Sequence, residues 1–211
     1  MNTEELIKSL SADLKPVKRS RPASILFIAW SVISSVIFLA VLAFIRHTPV
    51  LRADEAAVIF LQLIGGLAAA STAVMFGFPE KNMRYWGATL IPAIALFVYL
   101  IIRVFLAPSF QLTGFKCALL VLLMAGPSAL TLHFMIRDLF PARRMETRFL
   151  VFFGAGLFAS AFLTGACAID TPEHNLIFHS APALLFAGAG IFALRRWDST
   201  EHSKTGADQS D

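Results

Sequence analysis

Apolar residues in this chain gather into six runs, roughly Ser24 to Ile45, Ala56 to Phe78, Trp86 to Ala107, Phe115 to Ile136, Phe149 to Asp170 and Leu176 to Leu194. Each has about the 20 residues that a helix rising about 1.5 Å per residue needs to cross a hydrocarbon layer about 30 Å thick. Only helices and closed barrels satisfy their backbone groups in lipid, and these runs lack a barrel strand's alternation. The pattern predicts an all-α polytopic membrane protein: six transmembrane helices over residues 24–194, a head of residues 1–23 and a tail of residues 195–211.

The segments between runs alternate in positive charge. Lys8, Lys15, Lys18, Arg19 and Arg21 precede the first run, Lys81 and Arg84 occupy the second loop, Arg137, Arg143, Arg144 and Arg148 the fourth, and Arg195, Arg196 and Lys204 the tail. The other side offers Arg46 and Arg52, with Arg103 and Lys116 inside runs. By the positive-inside rule both termini are expected in the cytoplasm.

The tail, STEHSKTGADQSD, is too polar to bury a core and is expected to be disordered. The head differs. Ile7, Leu10, Leu14 and Val17 recur at helical spacing, on a helix that Pro16 would end or kink, and Asn2 with Glu5 resembles a capping box. So short an amphipathic helix is stable only when its apolar face is covered, by the membrane, by the bundle or by a soluble protein. Glu4, Glu5 and Asp13 beside the stripe make anionic lipid the less natural cover.

Composition narrows the classes. With 57% hydrophobic and 15% charged residues, no soluble domain of ordinary size remains. A net charge of +4 and a pI near 9.4 could point to nucleic acid. The cations instead flank helix ends, where topology and anionic lipid explain them, so no direct nucleic-acid contact is expected. The first run is too long for a signal peptide and is expected to stay as a span.

Two cysteines carry the candidate chemistry. Cys117 is placed about two residues inside the outer end of the fourth span and Cys167 about three inside the outer end of the fifth, so both are expected near one membrane face. Facing a periplasm, a dithiol can be oxidised or can capture a thiophilic metal. The plainer alternative is that each is a small packing residue. Arg103, Asp170, Glu173, His174 and His179 collect at the same edge, with an Arg103 to Asp170 contact plausible and snorkelling of Arg103 the simpler reading. A metal site from Cys117, Cys167, His174 and His179 has acceptable ligands, yet C-x6-H and H-x4-H match no standard zinc spacing. His47 and His133 read as interface residues.

No catalytic motif is present, and neither an enzyme nor a cofactor is expected. Gly65, Gly66, Ala69, Ala70, Gly156, Ser160 and Thr164 supply small residues for close helix packing. Pro92, Pro127 and Pro182 interrupt spans, as in some transporters, though proline is common in membrane helices. A small solute or ion transporter and a membrane thiol–disulfide redox protein therefore stand as alternatives.

The head TEELIKSLSADLKPVKRSRP, the cysteine opening the fourth span, the second cysteine in CAID ending the fifth and His179 opening the sixth resemble the NrsF-type negative regulators of sigma factors. The resemblance covers nearly the whole chain, departing at Phe178, where tryptophan is commoner. It implies an anti-sigma factor of the bacterial inner membrane that sequesters an extracytoplasmic-function sigma factor and releases it under heavy-metal or oxidative stress. The family's sensor thiols carry over onto Cys117 and Cys167. Under that reading Leu6, Ile7, Leu10, Asp13 and Leu14 would engage the sigma factor.

Overall fold

The least apolar of the six helices is the most buried, the reverse of what water would impose. Lipid tails solvate Leu and Ile as well as a protein interior does, so a membrane bundle turns its most apolar faces outward and gathers small and hydroxyl side chains at helix contacts. In the computed structural model, which describes residues 22–45, 53–76, 85–106, 114–139, 144–169 and 171–193, the inner helix is the fifth. Buried residues make up 83% of its apolar window, against 22% for the first and third.

The helices are α1 (Ala23–Ile45), α2 (Ala53–Phe76), α3 (Tyr85–Leu106), α4 (Phe115–Ile136), α5 (Arg144–Thr164) and α6 (Pro172–Ala193). All six are long and apolar enough to cross a membrane, and the described residues contain no strand. The expected all-α, six-helix architecture of a multi-pass membrane protein is the observed one. The head, the tail and Asp170 lie outside the described residues.

Helices α2 and α5 form the most extensive pair, and α5 also meets α4 and the first turns of α6. Small residues allow this approach. A Cβ on Gly66 would sit 2.8 Å from the Phe158 backbone nitrogen, one on Gly154 2.9 Å from that of Ala70, and one on Gly156 2.8 Å from Ala183 Cα. Helix α1 joins through aromatic rings: Trp30 and Phe38 lie 5.4 and 5.5 Å from Phe158, and Phe38 lies 5.3 Å from Phe162. Trp30 Nε1 donates to the Ser128 carbonyl at 3.0 Å, giving the indole the partner its burial requires. Outward, Ile28, Val32, Val36 and Leu39 of α1 and Ile91, Ile94, Val98 and Phe105 of α3 are exposed, as lipid contact demands.

Three boundaries correct the sequence reading. Helix α5 begins at Arg144, so Arg144 and Arg148 belong to its first turns and not to a loop. An apolar run marks only the part of a helix inside hydrocarbon, and polar turns can precede it. The same helix ends at Thr164, six residues before the expected Asp170. There the chain tightens into three-residue turns at Gly165, with Ala166 N bonded to Leu163 O and Cys167 N to Thr164 O. Helix α6 starts at Pro172, four residues before Leu176, because Thr171 caps it and Pro172 takes its first position.

Pro92 and Pro127 sit within continuous helices. Pro182 does not pass unmarked: the segment Asn175–Ser180 just before it is a π-helix, with Ala181 N–H bonded to Leu176 O. A proline ring clashes with the carbonyl four residues back, here Phe178, and a widened turn relieves the clash.

Candidate functional site

At one end of the bundle, the start of α4, the turn after α5 and the start of α6 converge. Cys117 lies in the first turn of α4, as its position in the fourth run predicts. Cys167 lies in the turn beyond α5 and not inside that helix, a correction that follows from the break at Gly165. The two Sγ atoms are 3.8 Å apart and both thiols are free. Cys167 Sγ is also 3.4 Å from His174 Nε2. Cys117, Cys167, His174 and His179 each direct one potential ligand atom to a common point, all four within 4.8 Å of one another.

The π-turn assembles the histidines. In an α-helix residues five apart fan out by roughly 140°, since each residue turns the chain about 100°. A π-turn closes after five residues, so His174 and His179 share a face with ring centroids 5.0 Å apart. Both side chains are wholly buried.

Burial makes their nitrogens accountable. Thr164 Oγ1 lies 3.0 Å from Gln62 Oε1 and 3.0 Å from His179 Nδ1. The hydroxyl has one proton; donated to the Gln62 carbonyl, it leaves the hydroxyl to accept from His179, whose Nδ1 then carries the ring hydrogen. Gln62 Nε2 completes the network by donating to Ser180 Oγ at 3.1 Å, and Ser160 Oγ donates to the His179 carbonyl at 2.6 Å. His179 Nε2 is thus a bare lone pair, and it has no hydrogen-bond partner among the described residues.

Close packing holds the floor. A Cβ on Gly114, the residue capping α4, would run into the Phe178 ring and sit 2.7 Å from His174 Cε1. Phe178 stacks obliquely on His174 at 5.2 Å. The Cys167 thiol, outside the helices, is held well below the ordinary thiol range by a hydrogen bond from Cys117, with His174 adding to the effect against the opposing push of partial burial.

Of the expected polar cluster, the structure brings His174 and His179 to the cysteines. Arg103 Nη1 donates to Tyr99 Oη at 3.2 Å on its own helix, and its guanidinium lies 5.9 Å from that ring; Asp170 is outside the described residues. The proposed head contacts Leu6, Ile7, Leu10, Asp13 and Leu14 lie outside them too. Sequence reasoning missed Gln62 and gave Ser160 and Thr164 only a packing role. The signal for Gln62 was available: a carboxamide inside LQLIGG is costly in a membrane unless it is bonded.

A multi-pass helical membrane protein with a thiol–imidazole cluster at one end of its bundle is the class these features define. The chain matches the family described as NrsF, negative regulator of sigma F, over residues 10–197, and it belongs to that family. It is accordingly a member of a family of negative regulators of a sigma factor. No curated protein and no solved structure matches it.

Proposed function

We propose that the chain is an anti-sigma factor of the bacterial inner membrane, with both termini cytoplasmic. It holds an extracytoplasmic-function sigma factor inactive and releases it when heavy-metal or oxidative stress modifies Cys117 and Cys167. Family membership and the alternation of Lys and Arg between segments support the tether and its orientation. The observation that carries the sensing half is the 3.8 Å between the two sulfurs. A disulfide needs about 2.05 Å, so the thiols close by under about 2 Å when an external oxidant accepts their two electrons and two protons leave.

The same two cysteines sit at the start of α4 and just beyond the end of α5, whose other ends are joined by the segment around Arg143. Locking one end re-aims the pair, and a rotation there becomes a displacement at the opposite face. The head, with Leu6, Ile7, Leu10, Asp13 and Leu14 against the sigma factor, is the grip that lets go. Inverting occupancy from 99:1 to 1:99 requires about 5.5 kcal/mol, which a covalent or thiolate–metal bond supplies and a single weak hydrogen bond does not.

Co-purification of the detergent-solubilised protein with its sigma factor, before and after thiol oxidation, tests this. Loss of the partner on oxidation, abolished in Cys117→Ser/Cys167→Ser, is the expected result. Normal release from the double variant sinks the sensor, and intact binding after deletion of residues 2–15 sinks the head as the dock.

A further inference from the structure

We propose that Cys117, Cys167, His174 and His179 together form a closed four-ligand centre for one divalent d10 cation of the zinc and cadmium class. This deepens the sensor reading above and rests on it only for what the ion signals, since the ligand set stands on the geometry. Two sulfurs each about 2.3 Å from a tetrahedral ion are about 3.8 Å apart, and a sulfur and a nitrogen ligand about 3.5 Å apart. The observed separations are 3.8 Å for Cys117 to Cys167 and 3.4 Å for Cys167 to His174. Those edges are already set for an ion. The remaining ligand atoms, all within 4.8 Å of one another, have at most about 1.5 Å to close.

The second observation is independent of the thiols. His179 is fully buried, and its Nε2 has no hydrogen-bond partner among the described residues. A buried acceptor left bare is costly, and a cation is the partner that a lone pair facing two thiols and a second imidazole fits. Thr164 and Gln62 hold the other ring nitrogen, the outer-sphere arrangement that fixes the tautomer of a metal-binding histidine.

Charge balance selects the ion. On binding, each thiol gives its proton to solvent, so two thiolates and two neutral imidazoles surround a divalent ion with zero net charge. A monovalent ion would leave a net negative charge at a partly buried site, which is costly. Calcium and magnesium want six or more oxygens, and the cluster offers none. The sequence spacing H-x4-H concealed the site because only the π-turn puts His174 and His179 one turn apart.

The test uses full-length protein purified in detergent, stripped with a chelator, and titrated with cobalt(II) as a spectroscopic probe, zinc then competing it off. We expect one cobalt per chain with the intense visible bands of a tetrahedral site and a thiolate charge-transfer band. Cys117→Ser, Cys167→Ser, His174→Ala and His179→Ala should each weaken binding by more than about 100-fold. Thr164→Val should weaken it by about 10–100-fold, the range for an outer-sphere partner. Thermal unfolding of each variant reports folding, and for any variant that fails to fold, zinc protection of both thiols from maleimide in the wild type takes its place, with protection expected. Unchanged affinity in both histidine variants, binding without tetrahedral bands, or unprotected thiols overturns the centre. The two proposals fail separately: oxidant-driven sigma release without metal binding overturns only the centre, and stoichiometric tetrahedral binding without any effect on sigma retention overturns only the sensor reading.

Discussion

Thr164 Oγ1 stands 3.0 Å from His179 Nδ1 and through that contact ties the end of the central helix to the wall of the thiol cluster. Gln62 on α2 accepts a hydrogen bond from Thr164 and donates one to Ser180 on α6, so one buried network joins three helices. Gln62→Leu removes an acceptor and a donor at once. Interhelical hydrogen bonds in membranes average about 0.6 kcal/mol and reach about 1.7 kcal/mol. Two of them put the expected loss at about 1–3 kcal/mol, read as a lower midpoint of unfolding in mixed micelles. An unmoved midpoint means the network contributes nothing to the bundle.

The α2–α5 contact makes a sharper steric prediction. Gly66→Ala places a methyl 2.8 Å from the Phe158 backbone, which no rotamer change relieves, and Gly154→Ala meets Ala70 in the same way. Each should cost about 1–3 kcal/mol, the range for overpacking. Gly126→Ala on α4 meets nothing within 4 Å and should be neutral or stabilising by up to about 1 kcal/mol, since alanine replaces a flexible residue within a helix. Equal losses at Gly66 and Gly126 in a denaturation series would refute the contact.

What the sequence made legible was set by a single physical length. Hydrocarbon thickness fixes how long an apolar run must be, so six runs gave six helices, and Cys117 fell where its run placed it. Cys167 was misplaced because Ala168 and Ile169 read as apolar although Gly165 had already ended the helix. Likewise Glu173 and His174 read as loop because they are polar, whereas Thr171 and Pro172 had begun a helix around them. The histidine pair was hidden for a deeper reason. Periodicity arguments assume about 3.6 residues per turn, and the π-turn before Pro182 breaks that assumption locally. Gln62 advertised a buried role, but its partners, Thr164 and Ser180, lie 102 and 118 residues away in sequence, and only packing pairs them.

The hold of Pro182 on the π-turn is testable. Pro182→Ala restores a backbone N–H to the helix and removes the ring that presses on the Phe178 carbonyl. The segment is then expected to relax to α geometry and to fan His174 and His179 apart by roughly 140°. Cobalt affinity should fall at least about tenfold with the helical content unchanged by circular dichroism. Retained affinity would mean that tertiary contacts, and not the proline, hold the turn open.

Gly114 gives the cleanest handle on the thiols, because it touches the site without being part of its chemistry. Its φ of −168° is extended backbone that any residue adopts, so the glycine is required by space and not by conformation. Gly114→Ala drives a methyl into Phe178 and against His174 Cε1. Overpacking of about 1–3 kcal/mol should then push α4 away from α6 and separate Cys117 from Cys167. Mild oxidation of isolated membranes, with disulfide formation followed by gel shift after maleimide labelling, should show closure slowed by about tenfold or more. The double substitution Gly114→Ala/Phe178→Ala should restore much of the rate, because the second change removes the ring the methyl strikes. If the single variant closes as fast as wild type, the helix ends are loose enough to bring the sulfurs together unaided. If the double variant is slower still, Phe178 is needed to position His174, and steric relief is the wrong explanation.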